Sequence, residues 1–245
     1  MKFIKALIGL IYFIFFSKRI DLDKLFKGKN IAIIGSADTV FECENGSYID
    51  SFDIVIRINR SYCFLSEDNQ KFLGSKTSIL FWNFFERDNT NFGYFNLQKF
   101  NKANIDFLIL GRSNLLGIRQ IFNFYKKYTY SINTYYSSFS SYKKLCEKFD
   151  IKPTIGFVSL YNVLNSDFKS CFISGFSFYE TKYLNDYEKA MNDKTSIDLF
   201  NFVKVERGHR PDIEFKVFKE MIIRHSNRSN IFLDNFLKNS ISQNG

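Results

Sequence analysis

Residues 208–221, GHRPDIEFKVFKEM, hold one of only two histidines in the chain. His209 stands just ahead of Pro211 and Asp212, which suit the first turn of a helix, and Ile213, Val217, Phe218, Met221 and Ile222 keep helical spacing behind them. An imidazole at a helix start meets the positive end of the dipole, which disfavours its charged form and leaves it able to accept a proton. His209 can therefore act as a general base, or serve more plainly as a cap. Three other stretches carry groups that suit anions and nucleotides. GSAD, residues 35–38, follows an apolar run, and a glycine there lets a phosphate approach the backbone. It lacks the GxGxxG spacing of a dinucleotide-dependent dehydrogenase. IDSFDIVIRIN, residues 49–59, carries Arg57 inside an apolar run and ends on Asn59, whose amide can both donate and accept toward a base or ribose, or shape a turn. PTIGFVSLYNVL, residues 153–164, opens a helix at Thr154 and Gly156, where free N–H groups suit an anion; SGFSFY, residues 174–179, places Tyr179 just past a strand end.

The elements that must position these groups are legible as alternating patterns. Short apolar runs at 31–34, 54–58, 78–82, 105–110 and 171–174 predict strands, three of them closed by Gly35, Gly111 and Gly175. Helical patterns at 115–128, 142–148 and 157–164 lie between them. This alternation predicts an α/β domain with a mostly parallel central sheet flanked by helices, in which ligands collect at the carboxyl ends of the strands. No internal repeat and no Pro/Gly-rich linker divides the chain, so one domain is expected. Residues 178–200 are polar and tyrosine-rich with no clear period, which reads as a mobile segment, a lid.

Composition bounds the rest. Of 245 residues, 45% are hydrophobic and 24% charged, the balance of a folded globular protein. The 31 phenylalanines accompany abundant Ile, Lys and Asn, as a biased coding sequence would give, and carry no functional weight. The formal charge is +9, and more than half of it falls in residues 1–29, where seven Lys and Arg face only Asp21 and Asp23. No nucleic-acid reader motif accompanies the charge, so no nucleic-acid partner is expected. Residues 6–16, ALIGLIYFIFF, would make a helix of about 16 Å, roughly half of a hydrocarbon core. The segment 1–29 is therefore read as membrane-associating, ahead of a domain over 30–245, with packing on that domain as the other reading. Cys43, Cys63, Cys146 and Cys171 are widely spaced with no histidine near them; they are expected to be reduced and mostly buried, with no metal site.

Taken together and in order, these stretches resemble the sialyltransferases, most closely the family 29 type. GSAD and IDSFDIVIRIN, with FLGSKT behind them, resemble the large sialylmotif; PTIG through SGFSF resembles the small one; and His209 with Glu214 five positions on resembles the very small one. SGFSFY and GHRPDIEF are also similar to stretches of bacterial family 42 sialyltransferases. The resemblance covers roughly residues 30–221. It implies a metal-independent, single-domain GT-A-like Rossmann-type fold, with no cofactor, that binds a CMP-activated nonulosonic acid as substrate. By position it implies Gly35, Ser36 and Asn59 as cytidine monophosphate contacts, Thr154, Gly156, Ser174 and Gly175 around the ribose and base, Tyr179 and Tyr183 at the departing phosphate, and His209 as the base.

The sequence also departs from the family pattern. Ser36 stands where an Asn is usual, and Ile155 where a Ser or Thr precedes the PTIG glycine. The upstream phosphate-stabilising histidine is missing from NFVKVE, which leaves Tyr179, Arg207 or Arg210 for that role. The cysteines that join the two longer motifs in Golgi enzymes correspond to Ile31 and about Phe168, so that disulfide is not expected. The resemblance thus implies an inverting transferase at the cytoplasmic face of a bacterial inner membrane, peripheral through its N-terminus, acting on a glycan, glycolipid or lipooligosaccharide acceptor. Residues 84–101 and 180–195 are the expected acceptor loops. The same chemistry admits Kdo, legionaminic or pseudaminic acid as the transferred sugar; an inactive membrane-bound nucleotide-sugar sensor is the reading from another class.

Overall fold

The computed structural model describes residues 2–88, 90, 92–225 and 230–243. Among them, eight strands form one sheet: β1 (Ser17–Arg19), β2 (Asn30–Ile34), β3 (Ile54–Ile58), β4 (Ile79–Trp82), β5 (Phe107–Leu110), β6 (Thr134–Tyr136), β7 (Ser170–Ser174) and β8 (Ile231–Leu233). Their order is β1-β6-β5-β4-β3-β2-β7-β8, and every neighbouring pair is parallel. The helices are α1 (Lys2–Phe16), α2 (Leu22–Phe26), α3 (Gly46–Asp50), α4 (Gln70–Leu73), α5 (Leu97–Lys102) and α6 (Leu115–Lys127). After them come α7 (Phe139–Phe149), α8 (Ile155–Leu164), α9 (Ser196–Asn201), α10 (Pro211–Arg224) and α11 (Asn235–Gln243). The α/β expectation with a parallel central sheet is met. The chain winds outward from β2 through β3, β4, β5 and β6, then returns to lay β7 against the other side of β2. The reversal opens a crevice at the carboxyl ends of β2 and β7.

All five expected strands are present. The strands not anticipated, β1, β6 and β8, are three residues each, SKR, TYY and IFL, too short to show a period. Strands buried on both faces read as unbroken apolar runs. In β2, Ile31 and Ile33 join a core with Phe157, Leu160, Val217 and Phe218 of α8 and α10, while Ala32 and Ile34 face the opposite core with Val55, Phe172 and Tyr187. That alternation is the pleat of the strand.

Residues 17–26 are joined to the rest of the fold: β1 extends the sheet by pairing with β6, and Leu22 and Phe26 of α2 lie in the main core. Within residues 178–200, expected to be a mobile segment or lid, Leu184, Tyr187 and Leu199 are buried. This segment is tied to the GSAD turn through an Ala37–Tyr183 bridge and through the Leu184 N–H donating to the Ser36 carbonyl at 2.8 Å. The tyrosines that masked any period are the side chains that bury it. The cysteines also differ from expectation: all four are free, but only Cys171 is buried and the others are half-buried.

Arg57 is buried in β3, and one side-chain hydroxyl and two backbone carbonyls hold its guanidinium. It donates to Thr77 Oγ1 at 2.9 Å and to the carbonyls of Leu73 and Lys76 at 2.6 and 3.1 Å. Burial draws its pKa down to about 10. Its role is to hold the Leu73–Thr77 turn against the sheet and so to fix the β3 end, where Asn59 emerges.

Candidate active site

Gly35 ends β2 and Gly175 ends β7, and the two backbones nearly touch. A Cβ on Gly35 would lie 2.1 Å from the Gly175 carbonyl oxygen. Gly175 has φ +74°, and a Cβ there would lie 2.4 Å from Val40 Cγ1. Only glycine fits either position. The Ala37 N–H donates to the Gly175 carbonyl at 3.0 Å, which locks the crossing. Beside it opens a cavity of about 790 Å³ including its mouth, within the range of small-molecule sites.

Gly35, Ser36, Asn59, Thr154, Gly156, Gly175, Tyr179, Tyr183 and His209 all line this cavity. Asn59 is buried with φ +47°, a conformation asparagine tolerates, and its Oδ1 has no hydrogen-bond partner. An acceptor buried and unmet at a cavity wall is poised for a ligand donor. Phe178 and Tyr179 have φ +49° and +71°, two consecutive left-handed aromatics, a strained turn that sends Phe178 into the core and Tyr179 to the cavity. The Tyr179 and Tyr183 rings meet edge-on at 5.7 Å. Burial pushes both phenols above their ordinary range, so they remain O–H donors at neutral pH.

Two expected contacts lie elsewhere. Ser174 is buried within β7 and bonds to Asp234, whose carboxylate also accepts from the Gly175 N–H at 2.8 Å. Arg210 is on the surface, paired with Asp212 at 2.7 Å. Both flank motif residues in sequence but point away from the cavity, Ser174 because alternate strand residues face opposite sides. Thr154 lines the cavity with its polar groups already committed: it caps α8 by accepting from the Phe157 N–H, and it bonds to Glu214.

His209 is 6% exposed, and its Nδ1 lies 2.6 Å from the Lys152 carbonyl. A carbonyl only accepts, so Nδ1 carries the hydrogen and Nε2 keeps its lone pair. Its pKa is drawn down to about 4, first by burial, with the charges of Arg112, Lys152 and Arg207 pushing the same way. Burial is thus the first cause that favours the neutral imidazole. Glu214, one turn into α10, is fully buried, and burial raises its carboxyl to about 8.

Sequence reasoning missed Arg112, which follows Gly111 at the carboxyl end of β5. It lines both this cavity and an adjoining outer cleft, and its Nε is buried without a partner. The available signal was a cation directly after a strand-closing glycine, the position that faces ligand in a parallel sheet. Arg207 lines both spaces as well, paired with the buried Glu188 at 2.6 Å. Asn83, at the carboxyl end of β4, lines the outer cleft. Of the expected acceptor loops, Phe85, Arg87 and Ala190 border that cleft, while Asn89 and Asn91 lie outside the described residues. Among the described residues, no group of three or more His, Cys, Asp or Glu is arranged to hold a metal ion.

No protein-family model matches the chain, and no curated protein matches it. Among solved structures it is similar to a mammalian sialyltransferase, with a TM-score of 0.51 at 15% identity over 86% of this chain and 70% of that one. A mammalian sialyltransferase in complex with Gal-beta-1-3GalNAc-ortho-nitrophenol gives 0.47 at 14% identity, covering 86% of this chain and 71% of that one. The sialyltransferase CstII from Campylobacter jejuni, in complex with the substrate analogue CMP-3FNeuAc, gives 0.46 at 17% identity, covering 84% and 78%. The first of these similarities is one of fold.

Proposed function

We propose that this chain is an inverting glycosyltransferase that moves sialic acid, or a related nonulosonic acid, from a CMP-activated donor to a hydroxyl of a glycan acceptor. The observation that carries the reading is His209: a buried, neutral imidazole with its Nδ1 hydrogen fixed and its Nε2 lone pair available, on the wall of a cavity at the sheet's reversal point. In this reading the donor nucleotide lies along Gly35, Ser36 and Asn59, and the acceptor enters by the outer cleft, which also reaches His209.

His209 Nε2 takes the acceptor hydroxyl proton as that oxygen bonds to the anomeric carbon. The bond from the anomeric carbon to the phosphate oxygen breaks, and its electron pair leaves with CMP. The Tyr179 hydroxyl, which accepts from Tyr183, donates toward that phosphate, and Arg112 and Arg207 supply positive charge where negative charge develops. Side-chain cations and O–H donors thus take the part that a divalent metal plays in metal-dependent transferases. Kdo, legionaminic and pseudaminic acid remain alternatives within the same chemistry, since each shares the nucleotide and the carboxylate.

A thermal-shift series with CMP, CMP-Neu5Ac, CMP-Kdo and UDP tests the nucleotide. CMP at 100 times its Kd stabilises by about 2.7 kcal/mol. Stabilisation by UDP and not by CMP would refute the assignment. CMP release from CMP-Neu5Ac, measured with and without galactose-terminated acceptors, then tests transfer and separates it from nucleotide sensing.

A further inference from the structure

The α1 helix is two-faced in a way that its sequence hides. Its Tyr12, Phe13 and Phe16 pack into the core cluster that contains Phe124 and Tyr125 of α6. The helices approach so closely that a Cβ on Gly9 would lie 2.9 Å from Lys126 Cα. The opposite face is bare: Phe3, Ile4, Leu7, Ile14 and Phe15 are 51–80% exposed, and Leu10 and Ile11 nearly as open. These positions fall three, four and seven residues apart, so they form one stripe along the helix. A stripe of this extent is an interaction surface and not scattered exposure.

The tertiary structure extends that surface onto α6. Leu115 and Leu116, in its first turn, are 79% and 69% exposed, and Leu115 borders a surface hollow together with Phe13 of α1. Neither helix contains an Asp or Glu, while Lys5, Arg119 and Lys126 of the two helices, with Lys18 and Arg19 just after α1, are exposed; Lys127 is paired with Glu86 at 2.6 Å. An apolar stripe bordered by cations, on helices that carry no carboxylate, matches an anionic bilayer, whose acyl boundary takes the side chains and whose headgroups take the charge. No helix among the described residues is long and apolar enough to cross a membrane. With one face packed on α6, α1 would lie along the surface.

Leu116 also borders the outer cleft that contains Arg112 and His209. We infer that the packed α1–α6 pair docks on an anionic lipid surface and, resting on the transferase reading, that this sets the acceptor cleft against the membrane so that the acceptor is a lipid-embedded glycan.

The test uses full-length protein and vesicles of phosphatidylcholine, with or without phosphatidylglycerol, and needs no turnover. The protein should float with the anionic vesicles and not with the neutral ones. Ile14→Glu with Phe15→Glu, and separately Leu115→Glu, should each lower binding at least tenfold at unchanged melting temperature; a helix's first turn accepts the last of these changes. Hydrogen exchange on the vesicles should slow at residues 114–117 as well as along α1. Absence of flotation, or a dimer in sedimentation that buries α1, would overturn the docking surface. Flotation indifferent to Leu115→Glu would remove the cleft from the membrane. A protein that floats but gains no stability from CMP supports the docking surface and refutes the transferase reading instead. Where transfer occurs, Ile14→Glu with Phe15→Glu should slow it at least tenfold on lactosylceramide in anionic vesicles and leave it unchanged on free lactose; equal loss on both overturns the coupling.

Discussion

Thr154 holds Glu214 at two points: its backbone N–H donates to Oε1 and its hydroxyl to Oε2, both at 2.7 Å. Two residues earlier, the Lys152 carbonyl receives the His209 ring. The start of α8 is therefore clipped to the start of α10, and the clip sets the angle at which His209 faces the cavity.

Glu214→Ala breaks this clip and leaves a buried N–H unmet, which costs roughly 1–3 kcal/mol. Turnover should fall as well, because the Lys152 carbonyl that orients the His209 ring is no longer steadied by the Thr154–Glu214 clip two residues away. Glu214→Gln keeps one acceptor for the Thr154 N–H and should restore most of both. Chemical denaturation and kcat, measured on the three proteins, check the pair of effects together.

His209→Ala should lower kcat by ~10²–10⁴ with little change in CMP affinity. Tyr179→Phe should lower it by less, since other groups also face the departing phosphate. The imidazole pKa of about 4 in the empty site predicts an acid limb near pH 4 in kcat/KM. Donor phosphate and carboxylate offset the neighbouring cations, so the limb in kcat should lie higher. Coincident limbs would place the base elsewhere, with His225 the other histidine to test.

Stability should be nearly flat between pH 4.5 and 6.5 as far as these two groups decide it. The folded pKa of His209 is depressed from 6.5 to about 4, so its contribution rises with pH through that window, because the unfolded chain binds the extra proton. The folded pKa of Glu214 is raised from 4.5 to about 8, so its contribution falls with pH over the same range. Removing one exposes the other. Between pH 4.5 and 6.5, His209→Gln should lose stability with rising pH and Glu214→Gln should gain it, each by about 1.4 kcal/mol per pH unit relative to the native protein. Urea melts at three pH values decide it.

Arg112→Gln removes a cation with a buried, unmet Nε. A charge-assisted hydrogen bond contributes ~1.5–3 kcal/mol, so kcat/KM for the CMP-sugar should drop roughly 10–100-fold. The same change takes away one of the charges that depress His209, so the acid limb of the free enzyme should move up. A variant with unaltered kcat/KM would remove Arg112 from the donor site.

Gly175→Ala should cost roughly 1–3 kcal/mol in backbone strain alone, before the clash with Val40. Gly35→Ala meets a backbone oxygen that cannot yield without parting β2 from β7. Both variants should lose the CMP-dependent rise in melting temperature before they lose the fold.

The sequence by itself determined β2, β3, β4, β5 and β7 and the longer helices α6, α7, α8 and α10, because strands buried on both faces read as apolar runs, three of them closed by glycine, whereas α3, α4 and α5 are too short to show a helical period. It also singled out Gly35, Asn59, Gly175, Tyr179 and His209, whose types and positions at strand and helix ends carry local physical reasons. What it could not determine is which ends meet. Ser174 and Arg210 sit one residue from cavity-lining neighbours yet face away, since direction alternates along a strand and turns sharply at a helix start. Arg112 reaches the site only because β5 lies in register with β4, and three-residue strands such as β1 and β6 exist only by virtue of the partners beside them. The order of the sheet is a choice among long-range pairings of similar apolar strands, and only the packed structure makes that choice.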